Sequence, residues 1–206
     1  MEFLETVQQR RSVKSYQPDK VISDAELKEL IQEVVLSPSS FNLQHWTFIT
    51  VRDTDLREKI KAAAWGQEQV ATCSVLLVIC GKLNAHQDAP EIYQGVDQGI
   101  QDKVLPLIKG FYDGKEQLQR DEAIRSASLA AMTLMLSAQN RGWATVPMIG
   151  FDPEAVSQLV NLKPNYIPVM MMAVGFKKDD SRPRDYRRPI EEVVKINTLD
   201  GPGLMG

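Results

Sequence analysis

The chain has 206 residues, enough for one domain with a substantial core and short for two. Its 43% hydrophobic and 25% charged residues exclude the disordered, collagen-like and membrane-spanning classes, and a net charge of -3 excludes a broad basic surface for nucleic acid or anionic membrane. Two histidines (His45, His86) and two cysteines (Cys73, Cys80) lack the clustering that zinc requires; the chain contains no Walker A or GxSxG motif, and its GxGxxG match, GPGLMG at 201–206, follows no strand-like run and so lacks the context of a dinucleotide fingerprint.

The opening MEFLETVQQRR carries acids ahead of its arginines and no apolar core of signal-peptide length, so a cytoplasmic protein is expected. Phe3, Leu4 and Val7 share one helical face, and that helix closes on Arg10 and Arg11. Ser23-Asp24-Ala25-Glu26 is a capping box followed by Leu27, Leu30, Ile31, Val34 and Val35, which predicts an amphipathic helix ending at Ser37-Pro38. WTFITV (46–51) reads as a strand, Asp53 starts a short helix with Leu56 and Ile60 inward, and SVLLVIC (74–80) reads as a buried strand. Seven residues of strand hold Cys73 and Cys80 about 23 Å apart, so they are expected to be reduced core residues. Residues 84–118, with Gly95, Gly99, Pro106, Gly110 and Gly114, read as helix broken by loop, either a lid or an ordinary surface segment.

No residue from Ser126 to Asn140 is charged, so that helix is expected to be buried all round. Its small residues suit either the centre of the core or a face against a second copy; a homodimer is inferred, with a monomer still open. WATVP (143–147) reads as a strand, Asp152-Pro153-Glu154 as a helix start, and IPVMMMAVGF (167–176) as a central strand, apolar on both faces. The tail beyond Lys177 has no core of its own.

Three places depart from plain fold logic. Arg10, Arg11 and Ser12 form either a phosphate clamp or a solvated helix end. The loop Pro38-Ser39-Ser40-Phe41-Asn42-Leu43-Gln44 offers hydroxyls and amides suited to a neutral polar ligand, or is simply turn chemistry. Pro147-Met148-Ile149-Gly150-Phe151, between a buried strand and a helix start, allows a flat ligand to approach the main chain, or is an ordinary turn.

Taken together, RRS near the start, the PSSxNxQxW loop, the GQEQV turn, the charge-free helix, PMIGF and a late Arg-Arg-Pro-Ile resemble the FMN-dependent nitroreductase family, from about residue 3 to residue 195. The resemblance implies an α+β fold with a central mixed β-sheet wrapped by helices, over residues 1–206 as a single FMN-binding domain. It implies an intertwined homodimer whose C-terminal extension, residues 178–206, crosses to the partner. FMN would be bound tightly and non-covalently, its phosphate held by Arg10, Arg11, Ser12 and Arg187, with Arg188 as the fallback, and Lys14 would sit near the pyrimidine end of the ring. Pro38, Ser39, Ser40 and Asn42 would approach the flavin from the other subunit, and Gln67 or Gln69 would contact the pyrimidine edge. Pro147, Met148, Ile149 and Gly150 would face the ring, with the amides of Ile149 and Gly150 towards N5 and O4. Two positions depart from the family pattern: Ile149 replaces a frequent Glu, and His45 replaces the usual Pro.

The function implied is ping-pong hydride transfer from NADH or NADPH to flavin N5 and on to a small electron-poor acceptor such as a nitroaromatic or quinone. No catalytic side chain is required, because the cofactor carries the chemistry. Phe41, Phe111 and Tyr112 are candidates for the pocket wall, and core or dimer packing is an equal alternative for each. A flavin reductase or other reductive enzyme on the same scaffold, or a non-catalytic flavin-binding protein, is the alternative.

Overall fold

A computed structural model of the chain describes residues 2–204, so the first residue and the last two of the terminal GPGLMG lie outside the described part. The elements in chain order are α1 (Phe3–Gln9), α2 (Asp24–Val34), a 3-10 turn (Ser40–Asn42), β1 (Trp46–Val51), α3 (Thr54–Ala63), α4 (Gln69–Thr72) and β2 (Val75–Lys82). A second 3-10 turn (Ala85–Asp88), α5 (Ala89–Ile92), α6 (Gln98–Tyr112), α7 (Glu116–Asn140), β3 (Ala144–Met148), α8 (Pro153–Leu159), β4 (Tyr166–Gly175) and α9 (Ile190–Val193) complete it.

The strands form one four-stranded sheet in the order β1-β2-β4-β3, with every neighbouring pair antiparallel. The expected mixed sheet is thus corrected to an antiparallel one; the parallel element is confined to an isolated bridge, Ser12 to Thr145, at the outer edge of β3. The two near-continuous apolar segments are the inner strands, as expected of chains buried on both faces. Leu76, Val78, Cys80, Met171 and Ala173 point to one face, packed by Ile60 of α3, Val156 of α8 and the extended Val13 and Tyr16. Val75, Leu77, Ile79, Met172 and Val174 point to the other, covered by α2 and α7. Cys73 and Cys80 are free and buried, and burial raises their thiols to about 11 and about 12, so neither is a reactive thiolate.

The capping logic is realised in detail. Ser23 and Glu26 form the reciprocal box at α2, Asp53 accepts from Leu56 N–H at α3, and Asp152 accepts from Glu154 and Ala155 N–H at α8. Residues 84–118 are more helical than expected, and Pro106 lies inside α6, where it removes one helix hydrogen bond without ending the helix. This excursion has a small core of its own, made of Leu43, Ala85, Ala89, Ile108 and Tyr112.

α7 begins ten residues before its charge-free part, and Ala127, Ala130, Ala131, Leu134 and Ala138 bury one side of it. It packs closely enough on β2 that a Cβ on Gly81 would lie 2.9 Å from the Cβ of Ala123. The expectation of burial all round is corrected for the single chain: Leu129 is 48% and Met132 41% exposed, three residues apart on one uncovered apolar face.

His45 is buried at the entry to β1, with its carbonyl accepting from Lys82 N–H at 2.6 Å and its Nδ1 without a partner. Burial lowers its pKa from 6.5 to about 4, with Glu122 and Asp88 opposing the shift and His86 adding to it. The folded state therefore holds the neutral imidazole. Its contribution is fully present above pH 6.5 and is lost as pH falls from there towards about 4, by up to about 3 kcal/mol. Urea midpoints measured at pH 7.5 and pH 5 are expected to fall with acidification in the wild type and to fall less in His45→Leu; identical slopes would refute the assignment.

Candidate functional site

The site is built along the β3 edge. α1 ends at Arg10, and residues 12–14 run on as an extended segment beside β3, with Val13 N–H donating to Thr145 O at 3.0 Å. The parallel direction carries Lys14 towards the level of Pro147, roughly 7 Å beyond Ser12 at strand rise. Arg10, Arg11, Ser12 and Lys14 thus form a strip that starts at the α1 terminus and points to the Pro147–Gly150 turn. Residues 15–17 then pair with 176–178, and the tail returns over the same edge.

That return places Arg184 and Arg187 beside Arg10 and Arg11, around a groove of about 580 Å³ that Ser12, Lys14 and Asp185 also line. Among the described residues none of the four guanidinium groups pairs with a carboxylate. Asp179 and Asp180, in the same groove, are engaged by Ser15 and Lys177. Burial, then Arg184, Arg11 and Arg187, hold the Arg10 guanidinium below its ordinary range. The arginines use main-chain carbonyls instead: Arg11 donates to Gln8 O at 2.5 Å and Arg10 O at 3.0 Å, and Arg187 donates to Asp185 O and Tyr186 O. Arg184 donates to Val7, Gln8 and Arg10 carbonyls at 3.1 Å each, which satisfies the open end of α1. Sequence reasoning missed Arg184. The signal was the RPRDYRRP run together with a helix end that needed a donor. Arg188 is exposed and lies outside this groove.

At the other end of the strip, Gln67 and Gln69 both reach the turn after β3. Gln67 Nε2 donates to Gly150 O at 2.6 Å, and the buried Gln69 donates to Gln67 Oε1 at 2.8 Å and to Met148 Sδ at 3.3 Å. The half-buried Gln67 faces the surface, while Gln69 stands behind it. Ile149 is 81% exposed, and Trp65, held at φ 55°, is 73% exposed. A Cβ on Gly150 would lie 3.2 Å from the Trp65 ring, so glycine keeps this approach open. Among the described residues neither Ile149 nor Gly150 donates its backbone N–H to an acceptor. Two free amides and a cationic groove therefore bracket Lys14.

The loop Pro38–Gln44 lies elsewhere. It enters β1, at the same end of the sheet as Gly150 but on the opposite edge, about 14 Å away across three strand spacings. Within one chain, Pro38, Ser39, Ser40 and Asn42 do not join the Arg10–Gly150 strip. Phe41, Phe111 and Tyr112 do cluster, with Phe41 and Phe111 edge to face at 5.8 Å. Phe111 is exposed and Phe41 half-buried, whereas Tyr112 is only 1% exposed and presents no open face in the single chain.

The sequence model of the Nitroreductase family matches residues 7–176. MhqN of Bacillus subtilis strain 168, which carries the name of an NAD(P)H nitroreductase, is 43% identical over 94% of this chain and 98% of its own. The crystal structure of B. subtilis ydfN, titled as a nitroreductase, superposes with a TM-score of 0.91 at 42% identity, covering 94% of this chain and 98% of that one. A structure from Exiguobacterium sibiricum, titled as a nitroreductase in complex with FMN, superposes with a TM-score of 0.89 at 27% identity, covering 96% and 98%. The chain belongs to the nitroreductase family, and with that family it is an oxidoreductase.

Four crowded arginines, none paired directly with a carboxylate among the described residues, predict anion binding irrespective of the full ligand. Inorganic phosphate is expected to raise the thermal midpoint of the ligand-free wild-type protein by a few degrees, and to do so less in Arg10→Ala and Arg184→Ala. An equal rise in wild type and both variants would contradict the groove assignment.

Proposed function

We propose that the protein is an FMN-dependent NAD(P)H oxidoreductase acting on small electron-poor acceptors, nitroaromatics and quinones among them. The observation that carries this reading is the strip from Arg10 to Gly150: a cationic groove at one end, two free amides at the other, and Lys14 between them. Its donors suit a phosphate tail and a planar heterocycle with carbonyl acceptors.

In this reading Arg10, Arg11, Ser12 and Arg187, joined by Arg184, hold the FMN phosphate. Lys14 lies near the pyrimidine edge with Gln67, and Pro147, Met148, Ile149 and Gly150 border the ring, with the amides of Ile149 and Gly150 turned to its polar edge. Gln69 fixes Gln67. When bound, the cofactor supplies hydride acceptance from NADH or NADPH and hydride donation to the acceptor. The protein orients it, stabilises negative charge at the pyrimidine edge through Lys14, and leaves one face open beside Ile149.

The reading includes a homodimer and treats residues 1–206 as one domain with 178–206 as its extension. The uncovered face of α7 with Leu129 and Met132 supports a second copy, as do exposed Phe3 and Leu4 on α1. The tail carries exposed Ile190, Val193 and Leu199, which need a cover. A groove of about 680 Å³ between α2 and the free edge of β1, lined by Leu27, Ile31, Val35 and Phe48, offers one on the partner. In such a dimer Pro38, Ser39, Ser40 and Asn42 complete the partner's flavin site, and Phe41 and Phe111 border the place where nicotinamide and acceptor alternate.

Anaerobic stopped-flow at the flavin absorbance, with NADH and with NADPH, tests the reading. The flavin-loaded wild type is expected to bleach on mixing and to recover its colour with a quinone. Arg11→Ala and Arg187→Ala are expected to lose flavin on gel filtration, more so at high salt, while remaining folded; Lys14→Gln should keep flavin and be reduced about tenfold more slowly. A protein that takes up no FMN would refute the proposal.

A further inference from the structure

We propose that Tyr112 is a positioning residue for the loop that completes the partner's flavin site, acting through Ser40, with Tyr93 assisting at Phe41. The proposal rests on the flavin reading above and extends it to the excursion that carries α5 and α6.

The loop is conformationally costly. Phe41, Asn42 and Gln44 sit at φ 51°, 54° and 50°, in the left-handed region that residues with a Cβ seldom occupy. Such a conformation persists only where the surroundings over-determine it. Within the loop, Ser39 Oγ accepts from Gln44 N–H at 2.9 Å, which ties its two ends. Asn42 and Leu43 N–H also donate to Ser39 O and Ser40 O at 3.0 Å each, and Gln44 Nε2 donates to Asn42 O at 3.3 Å. Further restraints come from far along the chain. Leu43 is buried in the small core with Ala85, Ala89, Ile108 and Tyr112. Tyr112 Oη donates to Ser40 Oγ at 2.8 Å, and Tyr93 Oη donates to Phe41 O at 3.1 Å.

Tyr112 is suited to this work because its ring is buried and packed among other rings. It stacks on His86 with centroids 5.7 Å apart and lies edge to face with Phe41 and Phe111 at 6.3 and 5.0 Å. The hydroxyl is the only polar atom of a buried side chain, and its bond is spent on Ser40. With Ser40 Oγ accepting from Tyr112, its own hydrogen is free to point outward, and the half-buried Ser40 presents a donor of defined direction. The excursion from Ala85 to Tyr112 thereby acquires a task besides bordering a pocket: it sets the shape and hydrogen-bond polarity of a loop in front of it.

The test compares FMN affinity, turnover and stability in full-length Tyr112→Phe, Tyr93→Phe, Ser40→Ala and the double variant Tyr112→Phe/Ser40→Ala. Tyr112→Phe is expected to weaken FMN binding about five- to tenfold with its thermal midpoint nearly unchanged in the FMN-free form, since one hydroxyl is lost and the ring is kept. Ser40→Ala should weaken it at least as much, and the double variant no more than Ser40→Ala, because both act on one bond. Tyr93→Phe, at the half-buried side of the lobe, should give a smaller loss and serves if Tyr112→Phe does not fold. FMN affinity in Tyr112→Phe within twofold of wild type, or effects that simply add in the double variant, would overturn the proposal while leaving the flavin reading intact. A wild type without FMN affinity would overturn both.

Discussion

Antiparallel pairing of β2 with β4 in the middle of the sheet decides where every other part can go. β2 and the second half of β4 are buried on both faces, so helices must cover each side there and the polar groups with chemistry are driven to the outer edges. β1 and β3 are those edges. The loop leading into β1 and the turn leaving β3 come to the same end of the sheet, yet the strands between them hold them apart. In the proposed reading one chain carries the two parts of a ligand site without joining them. A second copy, applied to the uncovered face of α7, is the simplest way to bring a loop of one chain to the strip of the other, and a two-fold arrangement would do it twice.

Both parts are held in states that are unfavourable on their own. The arginines crowd one another without a direct carboxylate partner among the described residues, and Arg11, Arg184 and Arg187 lean on main-chain carbonyls, which relieves hydrogen-bond demand but does not neutralise charge. The loop keeps three residues with side chains in left-handed geometry. Such features are common where a ligand supplies the missing partner, because organisation in advance lowers what binding must spend on ordering. The cost is met elsewhere in the fold, by the well-capped helices and by a core in which α7 lies directly on Gly81.

Much of this was legible in the residues. Ser23 with Glu26, Asp53 and Asp152 announced helix starts because capping is local, and the apolar inner strands announced their place because a strand covered on both faces cannot alternate. The excursion resisted reading because α6 exposes Ile100, Leu107 and Phe111 and passes through Pro106, so neither its period nor its punctuation marked a helix. The contact of Tyr112 with Ser40 was hidden for a different reason: the two are 72 residues apart, and no local pattern reports a contact of that range. Arg184 was overlooked because it resembles its neighbours in a basic run; only the return of the tail over α1 distinguishes it. The left-handed loop carries no glycine at Phe41, Asn42 or Gln44, so the usual mark of that geometry was absent.

The central claim is that each flavin site takes its arginines from one chain and its loop from the other. Subunit complementation tests it directly: a chain carrying Arg11→Ala and Arg187→Ala is co-expressed with a differently tagged chain carrying Ser40→Ala and Asn42→Ala, and the mixed species is isolated through both tags. If the sites are shared between chains, one site of the mixed dimer has both defects and the other has none. The account predicts one tightly held FMN per mixed dimer, with NAD(P)H-dependent reduction at that site, whereas either parent alone loses its flavin. Mixed dimers that hold flavin no better than the parents would mean that loop and arginines serve the same site within one chain, and would contradict the account.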